Sequence, residues 1–178
     1  MALKLIFMGT PEFALPILDT LYKSDHDILC VYTQSPKKSN RGQKITKSPV
    51  HIFSEKKKIN LRYPNKLDEV EINLIKKLDP DVVVVVAYGK IIPEKFLKLK
   101  NIMFINAHAS LLPKWRGAAP IQRSIIEMDK ETGISIMKII SKLDAGPVML
   151  QENLIINSED NFQSLSSKLS NLGTKLIF

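Results

Sequence analysis

Between Ile105 and Gln122 the chain reads Ile-Asn-Ala-His-Ala-Ser-Leu-Leu-Pro-Lys-Trp-Arg-Gly-Ala-Ala-Pro-Ile-Gln. An amide, an imidazole and a hydroxyl stand at alternate positions, Asn106, His108 and Ser110, directly after the apolar run Ile102 to Ile105. Alternate residues of a strand share one face. A strand that turns polar only at its C-terminal end points to the crevice where open α/β sheets bind ligands. An amide can donate to a developing charge and an imidazole can move a proton. Each also has a plainer reading, because Asn106 could bond the backbone of the turn and a lone His108 could be structural. Asp144, followed by Ala145-Gly146-Pro147, reads on its own as a turn former.

The elements that must hold these residues alternate between two periods. Leu3 to Met8 is a compact apolar run closed by Gly9 and Pro11, and Phe13, Ala14, Ile17, Leu18 and Leu21 follow at helical spacing. Gly9 lacks the second and third glycines of a dinucleotide fingerprint, so NAD and FAD are not expected. Ile28 to Thr33 predicts a second strand, Val50 to Lys58 a helix, Ile59 to Leu61 a short strand, and Leu67 to Leu78 an amphipathic helix stopped by Pro80. Val82 to Val86 has no polar face, as a central parallel strand covered on both sides requires. Ala87-Tyr88-Gly89 closes it, a sequence suited to a tight strand-to-helix turn. Ala118 to Met128 predicts a helix, Ile134 to Ile140 and Val148 to Ile156 two strands, and Phe162 to Ile177 a final amphipathic helix. Strands and helices in alternation predict an α/β fold around an open, mostly parallel sheet.

Composition narrows the function classes. With 178 residues, 44% hydrophobic and 25% charged, the chain is an ordinary globular domain rather than a disordered one. Its longest apolar run, Val82 to Ala87, is far short of the roughly 20 residues of a membrane span, and the N-terminus lacks the pattern of a signal peptide. A cytoplasmic protein is expected. Cys30 is the single cysteine and, inside an apolar run, is expected to pack as a small hydrophobe. The three histidines form no metal-ligand spacing with it, so no metal is expected. The net charge of +8 suits a polyanionic partner if the charges cluster, or a solvated lysine-rich surface if they do not. Gln34 to Ser48 carries five cationic residues and no acidic one, and reads equally as an electrostatic footprint or a solvated loop.

Asn106-x-His108 followed by Ser110-Leu111-Leu112-Pro113 resembles the signature of the folate-dependent formyltransferases, which act on glycinamide ribonucleotide, amino sugars or methionyl-tRNA. Trp115-Arg116-Gly117-Ala118-Ala119-Pro120-Ile121-Gln122 is similar to the branch acting on methionyl-tRNA, and the likeness runs from Ile6-Phe7-Met8-Gly9-Thr10-Pro11-Glu12-Phe13 to Leu169. The glycinamide ribonucleotide relatives carry a Gly/Ser-rich phosphate cradle where this chain has Thr10-Pro11-Glu12-Phe13, and Glu12 would repel a phosphate there.

The resemblance implies a Rossmann-like sheet flanked by helices, with residues 1–178 as the catalytic domain and the family's C-terminal β-barrel absent from the chain. It implies formyl transfer from 10-formyltetrahydrofolate, as co-substrate and without a metal, to the α-amine of initiator methionyl-tRNA. Asn106 would then donate to the tetrahedral oxyanion and His108 would act beside it as a donor and proton-transfer group. Asp144 would orient His108 or take the amine proton through water. Ala87, Tyr88 and Gly89 would wall the pterin ring, with Ser110, Leu111, Leu112 and Pro113 completing a neutral slot. Arg41 and Lys44, in the basic loop, would contact RNA. A monomer is expected. Two rivals stand beside this reading: a formyltransferase acting on a small amine, and a non-catalytic module that binds RNA or folate.

Overall fold

The apolar run near the N-terminus forms β1 (Lys4–Gly9), and a single 3-10 turn, Glu12–Ala14, leads into α1 (Leu15–Lys23). β2 spans Asp27–Tyr32. A computed structural model describes residues 2–39 and 44–177, and the basic segment expected to be a loop contains a short antiparallel pair, β3 (Lys37–Ser39) and β4 (Lys44–Thr46). α2 (Pro49–Lys56) begins at Ser48, whose hydroxyl accepts from the His51 N–H and caps the helix. β5 (Leu61–Arg62), α3 (Glu69–Leu78) and β6 (Val82–Val86) follow. Then come α4 (Glu94–Leu97), too short to show a period in sequence, and β7 (Met103–His108). α5 runs Pro120–Ile126, later than expected because Ala119 takes a left-handed conformation (φ 61°) that no helix can include. β8 (Glu131–Lys138), β9 (Val148–Ile155) and α6 (Phe162–Leu176) complete the chain.

Seven strands form one sheet in the order β5-β2-β1-β6-β7-β8-β9. The first five run parallel, whereas β8 and β9 pair antiparallel along one edge. This is the open, mostly parallel sheet expected, with the strand order reversing beside β1 so that a crevice opens at the strand ends.

The five valines explain the centre of the sheet. Val84 and Val86 enter a core with Leu5, Phe7, Ile17, Leu165 and Leu169 beneath α1 and α6. Val83 and Val85 enter a second core with Ile6, Met8, Ile75 and Phe96 beneath α3 and α4. With apolar cover on both faces, the strand has no use for a polar alternation. Cys30 lies in the second core, where burial pushes its thiol up to about 12. Beside it, buried Glu71 accepts from the Tyr32 hydroxyl (2.9 Å) and from Arg62 Nε (2.8 Å), a paired charge that ties β2 and β5 to α3.

Candidate active site

At the C-terminal ends of β1, β6 and β7 lies a cavity of about 1360 Å³, with Ala118 and Gln122 among its lining residues. Asn106, Ala107, His108 and Ala109 form one wall, and Ala87, Tyr88 and Gly89 a second. Asp144 and Leu143 close the side toward β8, while Phe162, Ser166, Ser167 and Ser170 of α6 line the far end.

Asn106 and His108 keep the strand alternation to the last residue of β7, so both side chains reach the same end of the cavity. Asp144 comes from the β8–β9 turn, in a left-handed conformation (φ 43°) that aspartate tolerates better than most residues. Gly146 lets that turn close: a Cβ there would sit 1.8 Å from the Lys138 carbonyl oxygen. The result brings together three side chains drawn from segments 38 residues apart.

Asp144 Oδ2 accepts from the Gly117 N–H at 2.8 Å and lies 3.7 Å from His108 Nδ1. Its Oδ1 is 3.4 Å from Asn106 Nδ2, a weak contact that still orients the amide with its donors toward the carboxylate. His108 Nε2 lies 2.9 Å from the Trp115 carbonyl oxygen. A carbonyl can only accept, so Nε2 carries a proton, and Nδ1 is the nitrogen that faces the carboxylate and is available to gain or lose one. Both side chains are largely buried, 7% and 12% exposed, so a charge formed on the ring would be little screened by water.

The expected slot residues divide. Ala87 (φ 46°) and Gly89 (φ 76°) form the tight turn, and with Tyr88 they also line the cavity. Gln34 Nε2 donates to the carbonyls of Tyr88 (3.2 Å) and Gly89 (3.1 Å), and Thr10 Oγ1 donates to Tyr88 O (2.8 Å), fixing this wall from behind. Ser110, Leu111, Leu112 and Pro113 are not among the residues that line this cavity. Ser110 lies beyond the strand end, fully buried, and donates to Lys114 O at 2.6 Å. Its carbonyl accepts from the Ser135 hydroxyl (2.6 Å), which in turn accepts from the Leu112 N–H (3.1 Å) and from Gln151 Nε2 (2.7 Å). The segment is a brace that fixes where β7 ends and where Trp115 begins.

Arg41 lies outside the described residues, and of Lys44 the backbone alone is described, opening β4 opposite Ser39. Sequence reasoning passed over the Trp115 carbonyl and the Gly117 amide, which carry no side-chain signal. It also assigned no wall to α6, whose serines look like any solvated helix face. Among the described residues no three His, Cys, Asp or Glu side chains converge as metal ligands, and no helix is long and apolar enough to cross a membrane.

Residues 3–178 match the family model described as Formyl transferase. The chain belongs to the formyl transferase family. It is 55% identical to a methionyl-tRNA formyltransferase of Pelagibacter ubique over 179 aligned residues, covering 99% of this chain and 58% of that protein. It is 46% identical to the methionyl-tRNA formyltransferase of Wolbachia sp. subsp. Drosophila simulans, covering 98% and 59% respectively. The chain thus spans under two thirds of the length of these relatives. Among solved structures, a phosphoribosylglycinamide formyltransferase from Anaplasma phagocytophilum superposes with a TM-score of 0.78 at 24% identity, over 98% of this chain and 83% of that one. That likeness establishes the formyl transferase fold, in which the cavity sits at the sheet's parallel strand ends.

Proposed function

We propose that this formyl transferase domain moves the formyl group of 10-formyltetrahydrofolate to the α-amine of methionyl-tRNA. The observation that carries the reading is the convergence of Asn106, His108 and Asp144 on one cavity wall, with His108 Nδ1 3.7 Å from the carboxylate. The identity to named methionyl-tRNA formyltransferases supports the acceptor. Glu12 lines the cavity at the first turn after β1 and would oppose a phosphate there, which disfavours a phosphorylated small-molecule acceptor.

In this mechanism the amine nitrogen bonds to the formyl carbon, and the carbonyl oxygen gains charge as the tetrahedral intermediate forms. The Asn106 amide, held by Asp144, donates to that oxygen. His108 Nδ1, or Asp144 through water, accepts the proton that the amine sheds. Returning a proton to the folate nitrogen lets its bond to carbon break, leaving tetrahydrofolate and the N-formyl product. An α-amine has an ordinary pKa of about 7.7 to 8.0, so a usable neutral fraction exists near neutral pH and no strong base is needed. Positioning and charge stabilisation do most of the work. The pterin lies along Ala87, Tyr88 and Gly89, whose backbone is pinned by Gln34, while Arg41 and Lys44 of the basic segment meet RNA.

Purified protein is incubated with 10-formyltetrahydrofolate and charged initiator tRNA, with free amino sugars as controls. Formyl-methionine released from the RNA is the expected product. Transfer to the sugars alone would favour the small-amine rival, and no transfer to either, with RNA or folate still bound, would favour the non-catalytic one.

A further inference from the structure

Trp115 and its neighbours form a feature that the catalytic triplet does not use. The indole Nε1 donates to Asp129 Oδ2 at 2.7 Å, and Lys114 Nζ pairs with Asp129 Oδ1 at 2.6 Å. Lys114 Nζ lies 5.3 Å and Arg123 Cζ 6.0 Å from the ring centroid, so two cations lie over the ring. Asp129 neutralises the lysine. Arg116 and Arg123 are exposed, and among the described residues neither has a carboxylate partner. Gly117 to Pro120, which continue from this cluster, line the cavity. Arg116 itself stands between the two backbone groups that hold the catalytic pair, the Trp115 carbonyl on His108 Nε2 and the Gly117 N–H on Asp144 Oδ2.

We propose that Trp115, Arg116 and Arg123 form the rim on which the phosphodiester backbone of the RNA acceptor is held. Arg116 is in addition a positioning residue that ties this contact to His108 and Asp144. The proposal rests on the reading of the acceptor as RNA. Arginine forks suit phosphate oxygens, and two exposed arginines without a carboxylate partner, each next in sequence to a residue that lines the cavity, attract an anion whose reacting end is neutral. A phosphate held by Arg116 restrains residues 115–117, whose carbonyl and amide already hold both catalytic groups. The rim therefore acts on turnover as well as on affinity.

Trp115 is the only tryptophan, so its fluorescence reports on the rim directly. Titration of the protein with a short hairpin RNA ending in a single-stranded 3′ extension is expected to quench it. Arg116→Ala and Arg123→Gln should each weaken that binding by about 5- to 10-fold. Each should also reduce the slope of log affinity against log salt by roughly 0.7 to 0.9. Arg116→Lys should keep the slope while binding more weakly than wild type. Binding of 10-formyltetrahydrofolate and the thermal midpoint serve as folding controls and should stay unchanged. With charged tRNA, Arg116→Ala should lower kcat as well as raise KM, whereas Arg123→Gln should mainly raise KM.

The rim is rejected if saturating RNA leaves Trp115 fluorescence unchanged or if both variants keep wild-type affinity and salt slope. It is also rejected if a glutamate-rich peptide quenches as strongly as RNA. An unchanged kcat in Arg116→Ala would reject the positioning role alone. The RNA titration needs no turnover, so wild-type protein that is quenched by RNA yet forms no formyl product would overturn the proposed reaction and leave the rim standing.

Discussion

Replacing Asp144 by Asn removes a charge while keeping shape, and its effect can be worked from the site. The carboxylate oxygen lies 3.7 Å from His108 Nδ1, with the two side chains 12% and 7% exposed. A proton accepted by Nδ1 during the reaction makes an imidazolium at that distance. Its attraction to the carboxylate is about 4 kcal/mol at the effective dielectric of a largely buried pair, and about 1 kcal/mol if water filled the gap. Those limits correspond to losses in rate of about 1000-fold and about fivefold. The low exposure places the expectation in the upper part of the range, a fall in kcat of about 100-fold or more. The asparagine carbonyl can still accept from the Gly117 N–H, so the thermal midpoint and KM for the folate should change little. Single-turnover formyl transfer to charged tRNA measures the loss. A fall smaller than about fivefold would refute the claim that a charge on His108 is stabilised here, and equal damage to stability would show that Asp144 serves the turn rather than the reaction.

Other expectations follow from the same coordinates. Asn106→Ala removes the amide proposed to donate to the oxyanion and should cost about 100- to 1000-fold in transfer rate; a loss below threefold in the same assay rejects that role. Gly146→Ala would force a Cβ to 1.8 Å from the Lys138 carbonyl, a backbone atom that cannot swing away. It should cost roughly 1–3 kcal/mol and lower the melting temperature by several degrees. It should also reduce activity, because the displaced turn carries Asp144. Lys168, with the Ser164 hydroxyl and the Asn157 N–H, holds the Asp160 carboxyl down to about 2. A depressed folded-state pKa stabilises the fold above the unfolded value of about 3.9 and ceases to do so as pH falls through about 2. Melting temperature should therefore decline between about pH 4 and pH 2, and Asp160→Asn should flatten that part of the curve. Arg41→Glu should weaken RNA binding and its salt slope with little effect on folate binding; unchanged affinity and slope would remove the basic segment from the RNA contact.

The parts of this architecture that apolar pattern dictates were legible in the residues. The valine run Val82 to Val86 has only one comfortable place, inside a sheet covered on both faces, and it occupies that place. The polar end of β7 is at the crevice for the same reason: side chains that would be unpaired in the core are tolerated where strands stop. Ser110 to Pro113 shows where such reasoning ends. Nothing in a serine, two leucines and a proline announces a brace, because the partners that tie the segment down, Ser135 and Gln151, lie 25 and 39 residues from the groups they hold. The α6 wall escaped notice because Ser166, Ser167 and Ser170 carry the composition of a solvated helix face.

The deepest part of the site had no side-chain signature at all. His108 and Asp144 are each fixed by a backbone group, the Trp115 carbonyl and the Gly117 N–H, which every residue but proline possesses in equal measure. What selects them is a bend in which Trp115 (φ 57°) and Gly117 (φ 86°) both adopt left-handed conformations, so that carbonyl and amide two residues apart face the same cavity wall. Glycine enters that region freely, whereas tryptophan does so at a cost of about 1–2 kcal/mol that its surroundings must offset. The indole's hydrogen bond to Asp129 and its packing beside Lys114 and Arg123 supply that offset. Substituting Trp115 should therefore disturb His108 through the backbone even though the indole never touches the imidazole. Trp115→Phe, which keeps the ring but loses the Asp129 bond, should show a smaller fall in kcat than Trp115→Ala. Equal effects from the two would mean that the bend is held by the rest of the brace and not by the ring.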